Sequence, residues 1–184
     1  AGRADRILTD AARLVAASAD PVLRRALAAE RLRWQAGRLR TLDEAEGIDA
    51  TGRELLRDCP DSELGTRARL LFCVGYAAAW TAQPERLSRA GDLLSEAVGL
   101  FRVLDEPELQ AEALLVLGYL VYAAQRLYDR AITALERSIG LLPEGSSARG
   151  VQLTYLAECR AMVGDLGRAA AELTEAHAIG THHG

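Results

Sequence analysis

Lysine and asparagine are absent from this 184-residue chain, and all 22 basic residues are arginine. A phosphate-binding loop of the usual type needs a lysine to reach the phosphates, so that chemistry is excluded. The bias against lysine and asparagine, whose codons are AT-rich, points to a GC-rich genome. The formal net charge is −4, with acids and arginines interspersed. No basic stripe is left to track a phosphate backbone, so direct nucleic-acid binding by this segment is not expected. Only three cysteines occur, Cys59, Cys73 and Cys159. An odd, scattered set without a Cys-x-x-Cys pair excludes a disulfide framework and a zinc site. They read as small buried apolar residues in a reducing compartment. No apolar run reaches the ~18 residues a membrane span needs, and no signal peptide is visible, so a cytoplasmic location is expected. Aromatics make up 5% of the chain and prolines number five. No alternating strand pattern occurs.

What is present is helix composition. Apolar residues make up 49% of the chain, mostly Ala and Leu, and charged residues 26%. That balance marks an ordered chain. The apolar positions recur as a two-part unit. One copy reads Leu71-x-x-Val74-Gly75-Tyr76, then Ala90-x-x-x-Leu94-x-x-Ala97. A second reads Leu114-x-x-Leu117-Gly118-Tyr119, then Ala131-x-x-x-Leu135-x-x-Ser138. A third reads Leu153-x-x-Leu156-Ala157, then Ala169-x-x-x-Leu173-x-x-Ala176. Small residues belong where two helices cross closely, and large ones fill the gap to the next unit.

This unit resembles the tetratricopeptide repeat over roughly residues 65–180. That family repeats about every 34 residues. Here Ala90 to Ala131 spans 41 and Ala131 to Ala169 spans 38, and the family's usual aromatic is replaced by Leu71, Leu114 and Leu153. The expected fold is all-α: about nine helices in antiparallel hairpins, without a β-sheet. The resemblance implies a right-handed superhelix. One solenoid domain is expected over 1–184, with divergent repeats over 1–62 and clearer ones over 63–180. The chain lacks an initiating Met and opens within helical pattern, so it reads as a piece of a longer protein.

Residues 3–17 carry one helical face and look like the second helix of a hairpin. Asp20-Pro21 should start the next helix, which runs to about Arg38, with Gly37 ending it. Residues 39–48 read either as an exposed connection or as continuing helix. A further helix is expected from about Ala50 to Cys59, closed by Pro60. Helices then follow near 64–81, 85–103, 108–124, 127–140, 148–163 and 166–180. Prolines, glycines or caps punctuate the breaks between them.

No catalytic motif is present: no G-x-S-x-G elbow, no H-E-x-x-H, no Cys/His metal spacing. His177, His182 and His183 read as a solvated terminus, and Asp105-Glu106 as a solvated or capping pair at a turn. Trp34, beside Arg33 and Arg38, reads as half-covered by arginine stems. No enzyme activity, cofactor or metal is expected. In the resembled family the first helix of each hairpin lines a concave groove. Alignment on Gly75, Gly118 and Ala157 implies a groove carrying Arg69, Phe72, Tyr76, Trp80, Glu112, Leu115, Tyr119, Tyr122 and Glu158. Phe72, Tyr76 and Trp80 are four apart and share a stripe. Three readings stand open: a ligand or peptide groove anchored by Arg69, Glu112 and Glu158; core packing; or packing against a neighbouring domain.

The segments Glu108–Tyr119 and Ala176–Gly184 are similar to the arrays of large ATP-binding LuxR-type and maltose-activator-type bacterial transcription regulators. That resemblance implies a sensor and oligomerisation region that binds an inducer, a peptide or a protein. Nucleotide and DNA binding would lie elsewhere. The alternative is a free-standing scaffold for a partner protein. The family's clamp for a carboxylate tail needs Lys and Asn, which this chain lacks. Solenoid ends lack a neighbour, so self-association through 1–17 or 166–180 is expected.

Overall fold

The computed structural model describes residues 20–182, preceded by Ile7, Thr9, Asp10, Ala11 and Arg13, which are helical. The rest of the expected 3–17 helix lies outside the described residues, as do His183 and the His182 side chain. Eight α-helices follow: α1 (Pro21–Ala36), α2 (Leu42–Arg57), α3 (Leu64–Trp80), α4 (Pro84–Val103), α5 (Pro107–Leu115), α6 (Tyr128–Gly140), α7 (Ser147–Met162) and α8 (Leu166–His182). A π-helical stretch, Val116–Ala123, prolongs α5. No strand occurs among the described residues. The chain is all-helical, as its composition implies.

Local chemistry sets the boundaries. Asp20 accepts the Val22 N–H at 2.8 Å and Pro21 opens α1; prolines also open α4 and α5. Ser146 accepts the Arg149 N–H at the start of α7. The α2 boundary corrects the expectation of a start near Ala50. A reciprocal cap starts the helix at Leu42: Glu44 N–H donates to Thr41 Oγ1 at 3.2 Å, and Thr41 N–H donates to Glu44 Oε2 at 3.1 Å. Two otherwise orphaned donors are satisfied at once, which draws residues 42–49 into the helix. At three later turns the residue after the helix enters the left-handed region and the next N–H reaches back to the helix. These bonds are Glu106 to Phe101 O at 3.0 Å, Leu127 to Tyr122 O at 2.8 Å and Asp165 to Arg160 O at 2.9 Å. They satisfy helix-end carbonyls and make each reversal tight.

Sequence neighbours pack as antiparallel hairpins, α1–α2, α3–α4, α5–α6 and α7–α8. The second helix of each hairpin also packs on the first helix of the next. The small residues of the motif sit at the crossings. A Cβ added at Gly75 would lie 2.8 Å from Leu94 Cγ, and one at Gly118 would lie 3.1 Å from the Ala131 carbonyl. Ser138 is fully buried and donates to the Ala111 carbonyl, which satisfies its hydroxyl. One core cluster runs from α1 into α6 and a second joins α6, α7 and α8. Leu94 and Leu135 are 0% exposed, but the equivalent Leu173 is 49% exposed. No further hairpin covers it among the described residues.

Candidate functional site

The helices α1, α3, α5 and α7 share one face, because side chains from each reach the next. The N-terminal half of this face is an ionic lattice. Arg25 on α1 makes a bidentate pair with Glu63 at the start of α3. Arg69 on α3 bonds to Glu30 on α1, donates to Glu106 before α5 at 2.8 Å, and donates to the Gly65 carbonyl at 3.0 Å. Arg33 donates to Glu30 and, across α3, to Glu112 on α5, each at 3.2 Å. Burial pushes the Glu112 carboxyl up from its ordinary value, with Arg33 opposing the shift.

Arg69 and Glu112, expected as groove anchors, are therefore engaged inside the chain. Phe72 is 3% exposed and belongs to the core, offset-stacked on Tyr76 at 5.9 Å. It is core, not groove lining, whereas Tyr76 and Trp80 on the same stripe are partly exposed. Tyr76 is half-buried, and burial, then the Glu112 charge, pushes its phenol up. Leu115 is half-buried against the second core cluster.

The C-terminal half is different. Trp80 at the end of α3, Tyr119 in the π stretch and Glu158 on α7 line a cleft of about 320 Å³ with Tyr128, Cys159 and Met162. The Tyr119 hydroxyl donates to Glu158 Oε2 at 2.9 Å. Tyr155 packs behind Tyr119 with ring centroids 4.1 Å apart. Burial, then the hydrogen bond and charge of Glu158, push the Tyr119 phenol up to about 12. Burial, then Glu158, push the Cys159 thiol up to about 11. Both groups keep their protons near neutral pH, so neither is an activated nucleophile. Ala82, at the rim, is held at φ 53.

Three of the nine expected residues, Trp80, Tyr119 and Glu158, thus meet in one cleft. Tyr122 does not join them. It lines a separate cavity of about 530 Å³ between α4, α5 and α6, with Arg102, Arg130 and Arg137. In an α-helix, residues three apart stay on one side. The wider i→i+5 turn of the π stretch swings Tyr122 further from Tyr119. The repeat alignment does not single out Tyr155 or Tyr128 as site residues. Tyr155 and Glu158 are three apart on α7, a spacing that signals one helix face. Tyr128 opens α6, where only the tertiary fold brings it to the cleft.

No family model and no curated protein matches the chain. Among solved structures, the crystal structure of BtubC (BKLC) from P. vanneervenii is similar. It superposes with a TM-score of 0.53 at 21% identity, over 98% of this chain and 89% of that one. The fold is helical and repeat-like. At that identity the likeness concerns fold alone. Among the described residues, no helix is long and apolar enough to cross a membrane, and no group of three or more His, Cys, Asp or Glu is arranged to hold a metal.

Proposed function

We propose that this chain is a non-catalytic recognition module that takes its ligand in the Trp80–Tyr119–Glu158 cleft. The observation that carries this reading is the cleft itself. It is about 320 Å³, lined by aromatic rings and a carboxylate, and falls within the range of small-molecule sites. Rings supply contact area at low entropic cost, and the Tyr119 hydroxyl and Glu158 supply orientation. The protonated thiol and phenol beside it favour binding over covalent chemistry.

The finer reading is a sensor and oligomerisation region of a cytoplasmic, bacterial LuxR-type transcription regulator. It rests on the resemblance carried by Glu108–Tyr119 and Ala176–Gly184. Exposed Leu166 and Leu173 on α8 support self-association through that end. The second reading, a tetratricopeptide-like scaffold for a partner protein, is favoured by the open face of α8.

A thermal-shift screen of metabolites against the native chain and Trp80→Ala tests the module. At a hundredfold excess over Kd, a true ligand stabilises by about 2.7 kcal/mol, and that gain disappears in the variant. Hits that stabilise both proteins equally contradict the cleft assignment. The parent reading frame separates the finer readings. A lysine-containing phosphate loop upstream and a helix-turn-helix downstream favour the regulator; neither favours the scaffold.

A further inference from the structure

We infer that the cleft takes a small organic cation, an alkylammonium or guanidinium head held between the aromatic rings and Glu158. This rests on the recognition reading above and names its ligand class.

Charge is the first argument. Glu158 is the one charged side chain among the residues lining the cleft, and no arginine lines it, in a chain with 22 of them. On the same face Glu30, Glu63, Glu106 and Glu112 each meet an arginine. Glu158 is in no ion pair among the described residues; its contact is the Tyr119 hydroxyl on Oε2. That bond leaves Oε1 open to a donor.

The rings are the second argument. Trp80, Tyr119 and Tyr128 line the cleft together. Ring faces and a carboxylate both attract a cation and both repel an anion, so the two features select the same ligand. Tyr155, packed on Tyr119, holds that ring in place. Leu120, Ala123 and Met162 offer an apolar wall to the hydrocarbon part of the ligand.

The neighbouring surface selects a free molecule over a peptide side chain. A bound peptide needs a track for the residues on either side of its basic group. Towards α1, the polar groups such a track would use are already engaged within the chain, in the Arg33–Glu112 pair and in Arg69 with Glu30 and Glu106.

The test reads Trp80 fluorescence in a Trp34→Phe background, since the chain has two tryptophans. The probes are choline, agmatine, and 3,3-dimethylbutanol, the neutral carbon analogue of choline. At least one cation should quench saturably and bind at least about tenfold more tightly than the neutral analogue. Glu158→Gln should cost the cation about tenfold and leave the neutral analogue unchanged, with an unaltered melting temperature. Cations that bind no tighter than the neutral analogue, or do not saturate by tens of millimolar, overturn the inference. If neutral compounds then bind in a Trp80-dependent way, the recognition reading survives; if nothing depends on Trp80, both fail. A blocked arginine tripeptide that binds tenfold tighter than agmatine assigns the site to a partner's side chain and overturns the small-molecule choice.

Discussion

One row of helices is built in two ways. From α1 to the start of α5, the carboxylates Glu30, Glu63, Glu106 and Glu112 are matched by Arg25, Arg33 and Arg69. From the end of α3 to α7, three rings and Glu158, which meets no arginine among the described residues, surround an open cleft. The backbone architecture is the same in both halves. A helical repeat supplies a continuous surface, and pairing within the chain decides which stretch of it remains available to a ligand. The N-terminal half should therefore respond to substitution in stability and the C-terminal half in binding.

The largest contrast concerns the repeated leucine. Leu94→Ala should cost about 3 kcal/mol, as for a fully buried leucine, whereas Leu173→Ala at the open end should stay within about 0.5 kcal/mol. Urea denaturation midpoints check this, and equal losses would show that α8 is covered in solution. Next comes the lattice against the cleft. Arg69 has a side chain 19% exposed and bonds to two carboxylates, so Arg69→Ala should cost about 2 kcal/mol. Glu158→Gln should change stability by no more than about 0.5 kcal/mol. A comparable loss at Glu158 would break the division of labour.

A smaller gain is expected at the cleft rim. Ala82 lies at φ 53, where a Cβ is unfavourable, so Ala82→Gly should stabilise by roughly 0.5–1 kcal/mol, net of the glycine's greater unfolded-state entropy. A lower melting temperature would contradict that backbone geometry.

The lattice should also show in the pH dependence. The Arg25 hydrogen bond, then its charge, hold the Glu63 carboxyl below its ordinary value. A lowered folded value means stability that is present above the unfolded value of about 4.3 and lost as pH falls through the folded one. The stability difference between the native chain and Glu63→Gln should therefore be constant near neutrality and shrink below about pH 4. A difference that grows in acid would reverse the sign. The smallest effect is spectroscopic. Tyr119 should titrate at about 12, and Glu158→Gln should move it down while burial still holds it above its ordinary value. An unshifted titration would separate Tyr119 from Glu158 in solution.

Much of the fold is legible in the residues themselves. The proline starts at Pro21, Pro84 and Pro107, and the small residues Gly75 and Gly118, act through neighbours close in sequence. The α2 start is legible too, in Thr41-x-x-Glu44, but the acidic run over 43–46 resembles an exposed connection. The π stretch is not, because Val116–Ala123 carries the same apolar pattern in an α- or a π-turn. The site is legible only in part. The spacing of Phe72, Tyr76 and Trp80 places them on one stripe, yet it carries no information about how deep each lies.

Sequence alone determined most helices, their proline starts and their close crossings, because these are set by backbone hydrogen bonds and side-chain volume within a hairpin. Only the tertiary structure decided that Phe72 is core, that Arg69 and Glu112 are occupied, and that Trp80, Tyr119 and Glu158 share an opening. The reason is physical: exposure and charge compensation belong to what packs against a residue from 30 or more positions away, and no local pattern encodes that neighbour.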